Sequence, residues 1–128
     1  MRWRQITLIA ACALIACVAL GSAWGVHVQH ARAASYQAAL ESYSANLKIG
    51  TSRNAVENYL QSRSVNFNRE GAESDQILIG DEGSDLVCAK KLEYLDFYFT
   101  PAQRGEAWKA NDADTLTRIA LRFYGECP

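Results

Sequence analysis

Beyond His30 the chain contains no histidine, and its two histidines, His27 and His30, stand close together near the N-terminus. That absence excludes a Ser-His-Asp or Cys-His catalytic arrangement from the C-terminal part, and a histidine-rich zinc site with it. Glycine-rich phosphate loops, HExxH and GxSxG are missing too. Proline is scarce: Pro101 and Pro128, beside eight glycines, exclude collagen-like and linker-like chains. A net charge of −1 gives no electrostatic reason to expect nucleic acid. No Asp, Glu, Lys or Arg stands between Arg4 and Arg32.

What is present fits one domain. The chain has 128 residues and is 49% hydrophobic, which excludes a mostly disordered polymer. The charge-free stretch supplies a 23-residue apolar run, Ile6 to Val28. At ~1.5 Å per residue, such a helix crosses a ~30 Å hydrocarbon core. Arg2 and Arg4 precede it, which predicts a cytoplasmic N-terminus and an exported remainder. Trp3 and Trp24 bracket the run, where aromatic rings favour membrane interfaces. His27 and His30 then read as interfacial polar residues.

Three readings of this segment compete. The length favours a retained signal anchor. Ala31-Arg32-Ala33 has the small-x-small pattern of a signal-peptide cleavage site, although a cleaved apolar region is usually only ~7–15 residues. Leu14-Ile15-Ala16-Cys17 has the pattern read by lipoprotein processing, with lipid on Cys17. Val18-Ala19-Leu20, however, follow where a polar tether is expected. Without lipid, Cys12 and Cys17 are small hydrophobes in an apolar helix. The expected division is residues 1–33 as anchor or signal peptide, span about 6–28, and residues 34–128 as an extracytoplasmic domain. The expected location is the inner membrane, single pass, with the domain in the periplasm; a periplasmic lipoprotein or a secreted protein is the alternative. Residues 34–128 hold ten cations against 14 acids, a net −4 that disfavours lying flat on anionic lipid.

The period of the C-terminal part changes along its length. Tyr36, Ala39, Leu40, Tyr43 and Leu47 recur at helical spacing and predict a helix from about His30 to Leu47, continuing from the span. Gly50 suits a left-handed helix stop, and Ser52 a cap for a second helix to about Ser62, with Val56, Tyr59 and Leu60 inward. Val65 and Phe67 alternate with Asn66 and Asn68, which predicts a short strand. Gln76–Ile79 predicts another, Asp81-Glu82-Gly83-Ser84 a turn, and Leu86-Val87-Cys88 extended chain. Leu92–Thr100 and Thr115–Tyr124 are the two long strands. Leu95, Phe97 and Phe99 face inward on the first, and Ile119, Leu121 and Phe123 on the second. The expected fold class is α+β: an N-terminal transmembrane helix, then two helices packed on an antiparallel sheet of three to four strands.

The segment Ile49-Gly50-Thr51-Ser52-Arg53-x-x-Val56-x-x-x-Leu60, after an export signal and before an antiparallel sheet, resembles the small-protein-A (BamE-like) envelope family. The resemblance covers about residues 49–124. It implies two helices on a three-stranded antiparallel sheet, an arrangement shared with repeats of beta-lactamase-inhibitor proteins. It also implies a role in outer-membrane assembly. Gly50 would match the family's turn glycine, Ser52 its helix cap, and Val56 and Leu60 its buried face. Gln61-Ser62-Arg63 departs from the Gly-x-Pro turn common there.

Few residues outside the core carry chemistry. Asp81, Glu82 and Asp85, and separately Asp112 and Asp114, form acidic clusters. They lack the ligand alternation of a calcium loop, and acids in turns ordinarily bond locally. No catalytic residue, metal site or cofactor is expected. Tyr94 and Tyr98 share the outward face of their strand. With Arg118, Arg122 and the loop residue Trp108 they suit protein binding, where Tyr, Trp and Arg are enriched; cross-strand Tyr–Arg packing is the plainer role. Cys88 and Cys127 are the cysteines of the exported part, and an oxidising compartment predicts a disulfide. Pairing the apolar sets places Phe97 opposite Ile119 and Leu95 opposite Leu121. That leaves the cysteines offset by about one residue, bridged through a bulge or through non-strand chain near Ala89–Lys91. The expected function is a non-enzymatic, membrane-anchored envelope domain that binds an envelope protein or supports an assembly. A secreted inhibitor-like module, or a metal-dependent domain using the acidic loops, is the alternative.

Overall fold

The computed structural model describes residues 2–84, 86–101 and 109–127, with side chains from residue 6 onward. Two compact units divide the chain, residues 1–35 and 36–128. Helix α1, Arg2–Asn46, begins in the first. Between Ile6 and Val26 its large apolar side chains, including Ile9, Ile15, Leu20 and Trp24, are exposed. The helix is long and apolar enough to cross a membrane, with a mean hydropathy of 2.4 over its most apolar stretch.

The second unit is α+β. It holds the end of α1, the short helix α2 (Arg53–Ser62) and four strands: β1 Asn68–Glu70, β2 Ser74–Gly83, β3 Lys90–Thr100 and β4 Thr115–Glu126. The strands pair antiparallel in chain order. Leu95 meets Leu121 and Phe97 meets Ile119, the register that buries both apolar sets. A bulge at Tyr98/Phe99 then shifts the ladder, so that Phe99 meets Leu116 and both are buried. Leu47, Val56, Leu60, Ile77, Leu95, Phe97, Phe99 and Leu116 form one core cluster. Tyr43 meets the edge of Phe97 at 5.7 Å.

The turns differ from the sequence reading in informative ways. Gly50 does have positive φ, 92°, but α1 has already ended at Asn46. Gly50 instead serves the turn Lys48–Thr51, closed by Thr51 N–H donating to Lys48 O at 3.1 Å. Ser52 caps α2, its Oγ accepting from Ala55 N–H at 3.3 Å. The left-handed residue after α2 is Ser64, φ 57°. It lets Ser64 N–H reach Gln61 O and Val65 N–H reach Leu60 O, which satisfies two helix-end carbonyls without Gly-x-Pro.

Val65 and Phe67 lie outside the strands and pack, partly buried, on the core; the strand is Asn68–Glu70. The turn expected at Asp81–Ser84 is strand through Gly83, carried past two irregularities at Leu78/Gly80 and Asp81/Gly83. Leu86 and Val87 are exposed and outside the ladder. Phe123, expected inward, is 58% exposed. Gly80 is held by a close approach. A Cβ there would lie 2.6 Å from ring carbons of Tyr36, whose hydroxyl donates to Glu82 Oε1 at 3.2 Å.

Candidate binding face

Alternation in β3 sends Leu95, Phe97 and Phe99 into the core, and Tyr94, Asp96 and Tyr98 to the other face of the sheet. The register puts Tyr94 beside Arg122 and Tyr98 beside Arg118. Four of the five residues singled out for partner binding therefore share one surface; Trp108 lies outside the described residues. Arg118 stacks its guanidinium 4.1 Å from the centre of the Tyr98 ring. Beneath them Asp96 is fully buried. It accepts from Gln76 Nε2 and Tyr98 Oη, each at 3.1 Å, and Arg122 Nη1 lies 3.5 Å away. This carboxylate orients Tyr98, Gln76 and Arg122 from below.

A groove of about 320 Å³ runs along this face, lined by Glu70, Gln76, Leu92, Tyr94, Arg122 and Tyr124, with Lys90 and Glu126 at its end. Tyr124 Oη donates to Glu126 Oε1 at 3.0 Å, and that bond, with the Glu126 charge, holds the phenol above its ordinary value. The groove presents aromatic rings, both signs of charge and amide groups on a fixed lattice of strands. Aromatic and arginine side chains are the types enriched where proteins meet one another.

The opposite face of the sheet holds a group of charges of which the sequence pointed only to Asp112 and Asp114. Arg53 lies on the buried stripe of α2 with Val56, Glu57 and Leu60. Its guanidinium is fully buried and stacks on Phe99 at 4.8 Å. It donates to both Asp75 carboxylate oxygens, to Ala72 O at 2.7 Å and to Ser74 O at 3.2 Å. Glu57 and Asp114 each lie 3.6 Å away. Arg69 clasps Glu57 with bonds of 2.7 and 2.8 Å and reaches Asp112 at 3.2 Å.

Burial pushes the Asp75 carboxyl up, and the Glu57 charge adds to that push against the opposing Arg53. Burial also works to raise Glu57, but the Arg69 bond and charge prevail and hold it low. Backbone bonds from Arg53 N–H to Asp114 O and from Asn54 N–H to Asp112 O tie the start of α2 to the loop before β4. This cluster joins α2, the β1–β2 hairpin and that loop.

The acidic clusters of the sequence are thus largely engaged by the chain itself. Asp112 and Asp114 belong to the arginine cluster. Asp81 accepts from Gly83 N–H at 2.9 Å, and Glu82 accepts from Tyr36; Asp85 lies outside the described residues. Among the described residues no three metal-binding side chains converge. Cys88 and Cys127 form a disulfide, with Cα atoms 4.1 Å apart. Both stand just outside their strands, beside the bond from Ala89 N–H to Glu126 O. Cys12 and Cys17 are free and exposed on α1.

Comparison with protein-family models, with curated proteins and with solved structures returned no match to this chain.

Proposed function

We propose that this protein is a single-pass envelope protein anchored by α1, whose exported α+β domain binds another protein or supports an assembly and catalyses no reaction. The observation that carries the reading is the outer face of the sheet: Tyr94, Tyr98, Arg118 and Arg122 held over the buried Asp96 beside an open groove. Tyr and Arg on a rigid strand lattice are the residue types that anchor protein interfaces. The end of α1 and α2 would form a helical layer over the other face, the arrangement of BamE-like domains. In this reading the anchor sits in the inner membrane, Arg2 and Arg4 stay in the cytoplasm, and the domain occupies the periplasm, where its disulfide persists. Retention of the anchor is supported by α1 running without a break through Ala31–Ala33, since chain cleavage favours exposed irregular segments.

A photoreactive residue replacing Tyr94 tests the reading in intact cells. A discrete adduct to one envelope protein is expected, and the domain-only adduct pattern of a non-binding surface would overturn it. The intact mass of the purified chain reads the anchor. Residues 1–128 complete are expected. A chain starting at Ala34 would make it a secreted module, and a diacylglyceryl group on Cys17 a lipoprotein.

A further inference from the structure

The two edges of the sheet are unequal. β1 spans three residues, whereas β4 spans twelve and contains neither lysine nor proline, the usual guards of an exposed edge. The start of β4 is covered: Gly50 N–H donates to Leu116 O, and Leu116 N–H donates to Thr51 O. Leu116 therefore points its backbone groups away from β3. Its partner Phe99 agrees, since Phe99 N–H donates the other way, to Glu73 O. The next pair, Tyr98 with Arg118, must bond to each other, so Ile119, Leu121 and Phe123 turn their N–H and C=O groups outward. Among the described residues no backbone group meets that edge beyond Leu116.

The geometry points to an extended peptide strand of a partner protein, apolar residues alternating with acidic ones, adding to this edge as a fifth strand. This rests on the protein-binding reading and names the partner's chemistry. Partner residues opposite Ile119, Leu121 and Phe123 would share their face. There Phe123 is 58% exposed, and a groove of about 480 Å³ sets the apolar Leu47, Ile49 and Ile119 beside the polar Ser44, Lys48 and Thr117. The exposed phenyl ring and the three aliphatic side chains call for apolar partners. The intervening residues would lie on the other face, opposite Arg118 and Arg122, both exposed and positive, with no acid on β4 before Glu126. That face calls for carboxylates. Main-chain bonds give affinity in such strand addition, and the alternate side chains give selectivity.

The test uses the full chain in detergent micelles and a fluorescein-labelled peptide of four Glu-Val repeats. Saturable binding is expected, with slowed amide exchange at Ile119, Leu121 and Phe123. Replacing every Glu of the peptide by Lys should weaken binding roughly tenfold or more, as should Arg118→Glu in the protein. N-methylation of the Val amides, which leaves every side chain in place, should abolish it. Phe123→Pro deletes one outward N–H and should weaken binding at unchanged melting temperature; should that variant fail to fold, Arg118→Glu and the N-methylated peptide still decide. Equal binding of the Glu and Lys peptides, or no saturable binding, would overturn the proposal. Binding that perturbs Tyr94 and Tyr98 while the β4 amides stay unchanged would overturn the edge assignment and leave the protein-binding reading standing. A dimer that protects the same amides without peptide would give the edge to a second copy and overturn it as well.

Discussion

Asp75 and Asp96 stand one register step apart on neighbouring strands, both fully buried, and they face opposite sides of one sheet. Each has an arginine near it. Arg53, beside Asp75, is itself fully buried, and its guanidinium is spent on the carboxylate and two carbonyls. Arg122, beside Asp96, has a side chain 55% exposed and a single ion-pair distance of 3.5 Å. Asp96 draws its other bonds from neutral groups, Gln76 and Tyr98. The same residue pair thus does two jobs. On the inner face the charges are fully committed and fasten α2 to the strands; on the outer face the carboxylate holds its neighbours in place and leaves the arginine more than half exposed.

The sharpest way to break this contrast is Arg53→Met. It leaves Asp75 buried without its cation and should cost ~3–5 kcal/mol, read by denaturant unfolding. A cost below 1 kcal/mol would mean that the inner cluster fastens nothing. The pH dependence follows from the same site. A carboxyl raised in the folded state stabilises the fold below its unfolded value, about 3.8 for Asp75, and that contribution is lost as pH rises through the folded value. Glu57, held low, acts in the opposite sense: its contribution is present above about 4.5 and is lost as pH falls through the folded value. Asp75→Asn should therefore compare more favourably with the native chain at pH 7 than at pH 3, in melting curves recorded across that range.

On the outer face the effects are smaller. Tyr98→Phe removes one donor from buried Asp96 and should cost ~1–3 kcal/mol. Arg122→Met should change stability by no more than ~1 kcal/mol, because the arginine side chain is 55% exposed and buried Asp96 keeps its bonds from Gln76 and Tyr98. If Arg122→Met destabilised as much as Arg53→Met, the distinction between the two faces would fail.

Part of this arrangement was legible in the residues. The pairing of β3 with β4 follows from alternating apolar sets on two long strands, which a one-residue slip would expose. The offset Cys88–Cys127 bridge follows from that register, and the outward placement of Tyr94, Tyr98, Arg118 and Arg122 from the same parity. β2 was less legible. Asp81-Glu82-Gly83 has turn chemistry, yet pairing with Lys91 and Leu92, and Tyr36 closing on Gly80, keep it in the sheet. Tyr36 lies 44 residues before Gly80, so nothing local announces its contact. The Arg53–Asp75 pair left a faint mark: Arg53 shares the 53-56-60 helical stripe with Val56 and Leu60, and Asp75 shares strand parity with Ile77. Nothing local joins residues 22 apart, so only the fold reveals them as partners.

In the proposed function the outer face binds while the inner face fastens. The most direct measurement pairs the yield of the adduct formed from position 94 in intact cells with the melting temperature of the same chain, with and without Arg122→Met. A melting temperature nearly unchanged and most of the adduct lost are expected. An adduct yield untouched by Arg122→Met, or one lost only in step with melting, would contradict the proposal.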